Sequence, residues 1–214
     1  MAVLDKIAHL QGRRDEAPNQ ELARALAETA DRAGIQEIAE NLWHRDPAIQ
    51  SDCLKVLYEI GYLNPALIAD YVDDFVRLAC GKNNRLAWGG MIALSTIASL
   101  QADAIDAQFE RLLKAIERGS VITVDNGVKT LALAAAHPTA HRPQIIAFLL
   151  DHLATCRPKD VPQHAEHALA AIAPDNQEAF VQVLEKRLPH LSPSQAARVR
   201  KVLAKARQRH GARP

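Results

Sequence analysis

The sequence predicts an all-α solenoid of about five helix pairs, ten to twelve helices in total. Three observations predict it. Aromatic residues make up only 4% of the chain while Ala and Leu are abundant, which disfavours sheets built on aromatic and β-branched strands. Helix-start signals recur, each a short polar acceptor ahead of an apolar stretch. The chain also matches itself when slid by 37 positions, the pattern of units that bury one another's faces.

Composition sets the bounds. A chain of 214 residues with 24% charged and 48% hydrophobic residues fits one folded domain, here residues 1–214. Its parts are N-terminal cap helices at 1–34, repeats at 35–191 and a basic capping helix and tail at 192–214. Net charge is +1 but unevenly spread: Lys186–Pro214 holds nine Lys/Arg and no acid, leaving Met1–Glu185 with 17 basic and 25 acidic residues. Cys53, Cys80 and Cys156 are odd in number and far apart, so no disulfide framework is expected. Asp5 and Lys6 interrupt the N-terminal apolar stretch, which argues against a signal peptide. A cytoplasmic protein is the expectation.

Val3–Leu10 is a short amphipathic pattern broken at Gln11–Gly12. Asn19 then reads as the N-cap of a helix to about Arg32, closed by Gly34, and Ile35–His44 as the next helix. Further starts follow at Asp46–Pro47, Asn64–Pro65, Asn83, Asp103, Ser120, Asp160 and Ser192–Pro193. Proline at the first helical position loses nothing, because that amide has no partner in any case. Helices of roughly fifteen residues joined by short turns are the expected result.

Leu86–Ala102 contains no charged residue. Gly89, Gly90, Ser95, Thr96, Ser99 and Gln101 make it too polar for a membrane span, so it reads as a helix walled in by neighbours. The 37-residue register supplies those neighbours. It aligns Asp46, Asn83 and Ser120 as caps, Cys53, Gly90 and Gly127 as a small-residue column, and Leu54, Met91 and Val128 as an apolar one. Leu57, Leu94 and Leu131 are identical, followed by Ile60, Ile97 and Ala134. One inserted residue is expected to carry the register on to Ala165, Leu169 and Ile172. Phe75, Phe109, Phe148 and Phe180 are expected one each in the middle of the intervening helices, each packed on a small residue of the next.

At these residues the chain resembles the HEAT-repeat family within the armadillo-like class, over roughly Ile35–Arg209. Asp46–Pro47 followed by Ile49, Cys53, Leu57 and Ile60 is similar to that family's second helix. The Arg that often follows the first-turn apolar residue is replaced by Gln50, Ala87 and Val124, so the repeats are divergent. The resemblance implies a right-handed α-α superhelix whose second helices line a concave side used for partners.

Columns off the apolar register are therefore expected on that side. They are Ser51, Trp88, Asp125 and Gln163; Asp52, Gly89, Asn126 and His164; and Lys55, Ile92, Lys129 and His167. Candidate binding residues are Ser51, Asp52, Lys55, Trp88, Asp125, Asn126, Lys129, His164 and His167, for a protein or peptide partner. The bland reading is that Trp88 fills space between repeats and Asp125 sits in a first helical turn, where a carboxylate suits the dipole.

Catalytic residues and cofactors are not expected, since no Ser/His/Asp set, phosphate loop or CxxC pair occurs. His152, Cys156, His164 and His167 would supply tetrahedral metal donors, but their spacing matches no common motif, and they read as surface histidines on an Ala-rich helix. The alternative function is nucleic-acid binding through Arg198, Arg200, Lys201, Lys205, Arg207 and Arg209 on the last helix. Some HEAT-like proteins resemble alkylpurine DNA glycosylases, with Trp four residues before Asp on one helix. Here Trp43 precedes Pro47, and Trp88 precedes Ile92, at that spacing. The basic helix reads otherwise as a polar terminal cap, or as a surface held by the chain's own acids such as Asp70, Asp73 and Asp74.

Overall fold

The structure, a computed structural model, describes residues 2–211 and the side chains of residues 2–208. Twelve α-helices occur among them and no strand. They are α1 (Ala17–Thr29), α2 (Arg32–Glu40), α3 (Pro47–Leu63), α4 (Val72–Ala79), α5 (Asn84–Ile97) and α6 (Ala102–Asp106). The second half is α7 (Phe109–Glu117), α8 (Val121–Ala134), α9 (Arg142–Thr155), α10 (Val161–Ala168), α11 (Gln177–Arg187) and α12 (Pro193–Gly211). No described helix is long and apolar enough to cross a membrane.

Two layers result. In one, α1, α3, α5, α8, α10 and α12 lie side by side in that order. The other holds α2, α4, α6 with α7, α9 and α11, so the five expected pairs are present. Successive helices of the first layer pack directly on one another. The core is two apolar clusters, and Leu150 packs against both.

The 37-residue register holds in space. Leu57, Leu94 and Leu131 are fully buried, as are Ile60, Ile97 and Ala134. The three caps form as expected: Asp46 accepts from the Ala48 amide, Asn83 from those of Arg85 and Leu86, and Ser120 from that of Thr123. At α12 the capping box is reciprocal, with Ser192 N donating to Gln195 Oε1 at 2.9 Å and Gln195 N to Ser192 Oγ at 3.4 Å. The uncharged α5 is enclosed by α3, α4 and α8.

Several local expectations are corrected. Asn19 caps nothing. Helix α1 already begins at Ala17, and buried Asn19 accepts the Ala8 amide at 2.9 Å through Oδ1, so a tertiary contact uses the side chain. Gly34 opens α2 rather than closing α1; its amide goes to the Asp31 cap, and Ala30 takes the left-handed position at φ 48°. Helix α2 stops at Glu40, short of His44. Asn64 precedes only a 3-10 turn and Asp103 lies inside α6; Asp160 does stand at the start of α10, but its carboxylate accepts from Arg157 rather than from a helix amide.

The phenylalanines also differ. Phe109 opens α7, and Phe148 is half-buried. At Gly90 it is the α4 backbone, not a ring, that approaches, and Gly127 faces Ile116. Ala165, Leu169 and Ile172, where the register was expected to continue, are all buried, as is His164.

Candidate functional site

The candidate residues lie on the layer formed by α3, α5, α8 and α10, but they divide between two clefts. Ser51, Asp52, Lys55 and Trp88 border the first, of about 270 Å³. Asp125 and His164 border the second, of about 300 Å³. Trp88 and Asp125 therefore do not share a pocket.

The first cleft lies between α3, α5 and the N-terminal segment. Gly12, at φ +67°, turns that segment back. It docks through His9 N, which donates to Asp52 Oδ2 at 2.7 Å, and through Glu16, whose carboxylate lies 2.8 Å from Lys55 Nζ. Glu59 meets the same ammonium at 2.7 Å. Burial pulls the Lys55 pKa down, but the two carboxylates outweigh it and hold the group above its ordinary value. Arg13 pairs with Asp15. Arg14 and Arg85 have no carboxylate partner among the described residues, so the half-buried indole of Trp88 sits in a cleft with two uncommitted cations.

The second cleft holds a chain of polar contacts. His164, 1% exposed, places Nε2 at 2.7 Å from Asp125 Oδ1 and Nδ1 at 2.9 Å from His152 Nε2. One tautomer set satisfies both contacts: His164 donates from Nε2 to the carboxylate and accepts at Nδ1 from His152. Burial, then the neighbouring His164, push the His152 imidazole down to about 4. The Cys156 Sγ completes a group whose donor atoms lie within 4.8 Å of one another. Burial pushes its thiol up. The expectation of surface histidines is thus corrected for His164, which is buried between Asp125 and His152.

The remaining candidates stand apart. Asn126 donates to Ile122 O at 2.9 Å, and its Oδ1 lies 3.2 Å from the Ser95 hydroxyl. Lys129 sits over the Tyr62 ring at 6.0 Å, and burial lowers its pKa. Burial, then Lys129, lower that of His167.

On α12, Arg198 makes two bonds to Glu166, at 3.0 and 2.7 Å, and Arg207 pairs with Glu185. The acids holding the basic helix are these, not Asp70, Asp73 or Asp74; Asp74 instead accepts from the Trp43 indole at 3.0 Å. Arg200, Lys201 and Lys205 are exposed. The side chain of Arg209 lies outside the described residues.

No family model and no curated protein matches the chain. Solved structures do. One engineered protein superposes with TM-score 0.65 at 21% identity, covering 97% of this chain and 98% of its own. A second does so at 0.64 and 20%, covering 96% of this chain and 58% of its own. A designed armadillo repeat protein, in complex with the peptide (KR)4, gives 0.66 at 15%, covering 87% of this chain and 86% of its own. The fold is an armadillo-like helical repeat. The comparisons give no support to a nucleic-acid partner.

The N-terminal wall of the first cleft escaped sequence reasoning, because its contacts span up to 43 positions and follow no period. The break at Gln11–Gly12 was its one local signal.

Proposed function

We propose that the chain is a HEAT-like, non-catalytic scaffold that holds a protein or peptide segment along the inner layer, with the Trp88 cleft as its anchor. The observation that carries this reading is a cleft lined by the half-buried Trp88 indole and by Arg14 and Arg85, which have no carboxylate partner among the described residues. Trp and Arg are the residues that most often dominate interfaces, because both bury large area while offering directional donors. A cleft of about 270 Å³ suits one or two side chains and falls below the usual range for cofactors and drug-sized ligands.

The partner segment carries carboxylates. The (KR)4 peptide bound by the designed armadillo neighbour is basic, and the body of this chain is acidic overall. The cleft's own lining, however, carries Arg13, Arg14, Lys55 and Arg85 against Asp15, Glu16 and Asp52, a local excess of positive charge that acts within a screening length of about 8–10 Å.

A displayed peptide library tests the reading. Enrichment of acidic peptides, with affinity falling at least tenfold in Trp88→Ala and in Arg85→Ala, is the expected result. Selected peptides that bind both variants as well as the parent chain would count against it.

A further inference from the structure

The second cleft belongs to a different chemistry. We infer that His152 Nε2, Cys156 Sγ and His164 Nδ1 form a Zn²⁺ site, with Asp125 orienting His164 from behind and solvent in the fourth position.

Geometry points there first. The three donor atoms lie within 4.8 Å of one another, and the two nitrogens are 2.9 Å apart. Tetrahedral bonds of about 2.0–2.3 Å put donor atoms roughly 3.3–3.6 Å apart, so shifts of about an ångström close the site. His152 and Cys156 are one helical turn apart at the end of α9, and α10 brings His164 across from them. Two imidazoles and a thiolate are borderline-to-soft donors, the kind that select zinc over magnesium or calcium.

The support behind the donors is the second observation. His164 is buried and its Nε2 is taken by Asp125 Oδ1 at 2.7 Å. This fixes the ring and leaves the Nδ1 lone pair aimed at His152. A carboxylate holding the far nitrogen of a ligating histidine is the usual backing of zinc sites. The Cys156 Sγ has no better partner than Leu153 O at 4.0 Å. Val121, Val124 and Asp160 border an open cleft of about 300 Å³ in front of the donors, which leaves room for a fourth ligand from solvent.

Protons balance simply. As the sulfur–metal bond forms, the Cys156 thiol gives its proton to solvent. His152 stays neutral, its proton moving from Nε2 to Nδ1 so that Nε2 presents a lone pair. His164 keeps its proton on Nε2 against Asp125. One proton leaves for each Zn²⁺ bound, and no redox step occurs.

The full chain, titrated with Co²⁺ and then Zn²⁺, tests the site. One equivalent of Co²⁺ is expected to give the intense visible absorption of a four-coordinate ion and a near-ultraviolet thiolate band, both erased by Zn²⁺. Cys156→Ala is expected to lose the thiolate band, while the double variant Cys53→Ala/Cys80→Ala keeps it. Asp125→Asn is expected to keep the spectrum but weaken Zn²⁺ about 10–100-fold, the cost of losing a positioning carboxylate. As a check that needs no variant, Zn²⁺ should protect Cys156 of the parent chain from alkylation. A weak, six-coordinate Co²⁺ spectrum in the parent chain would overturn the inference. So would a thiolate band that survives Cys156→Ala, or alkylation of Cys156 that Zn²⁺ leaves unchanged.

Discussion

Gly90 of α5 faces the Phe75 carbonyl of α4 so closely that a methyl group on its Cα would lie 2.9 Å from that oxygen. The same methyl would meet the Ala79 amide nitrogen at 2.8 Å. Both obstacles are backbone, so nothing flexible can give way. Gly90→Ala gains about 1 kcal/mol of helix propensity, but forcing α4 and α5 apart costs about 1–3 kcal/mol. The expected outcome is a net loss of stability, measured as a lower urea midpoint with unchanged slope.

Equivalent register positions should respond alike. Leu57, Leu94 and Leu131 are all fully buried in successive helices of one layer. Leu→Ala at each is expected to cost about 2–5 kcal/mol, by lost burial and a residual cavity. Denaturant unfolding of the three single variants checks this. A value under about 1 kcal/mol at any one of them would mean that its surroundings differ.

The helix caps offer a finer comparison. Asp46, Asn83 and Ser120 each accept at least one free amide. Replacement by Ala is expected to cost about 0.5–2 kcal/mol at each. Asp103→Ala, inside α6 and not a cap, should cost less. Thermal unfolding of the four variants tests the ordering.

Acid should act through Asp106. Its side chain is 6% exposed and lies 2.9 Å from His141 Nδ1, and the His141 amide donates to both of its oxygens at 3.0 and 3.2 Å. Burial pushes its carboxyl up, but these bonds outweigh burial and hold it below the ordinary 3.8. A depressed carboxylate stabilises the fold above its unfolded pKa, and that contribution is lost as pH falls through the folded value. Asp106→Asn should therefore be less stable than the parent chain at pH 6, by about 1–3 kcal/mol. The gap should narrow below about pH 4. Paired urea titrations at the two pH values measure it.

The fold was legible because its causes are local and periodic. A cap at Asp46, Asn83 or Ser120 and a leucine eleven positions on restate one module, and each module dictates its neighbour's apolar face. Asn19 misled because its side chain serves Ala8 rather than its own helix, a choice made by tertiary packing. The face of α3, α5, α8 and α10 was legible as a set of positions but not as clefts. Whether Trp88 shares a cleft with Asp125 or with Arg14 depends on where the non-repeating N-terminal segment docks. The His164 contacts with Asp125 and His152 join three helices, so no single-helix spacing could reveal them.

The central claim is that a partner segment lies on the layer of α3, α5, α8 and α10, anchored at Trp88. Hydrogen–deuterium exchange of the full chain, with and without a selected acidic peptide, tests it most directly. Slowed exchange is predicted in the N-terminal turn and the first turns of α3 and α5, with α4, α7 and α9 unchanged. Protection confined to α4, α7 and α9 would place the partner on the opposite layer and contradict the account.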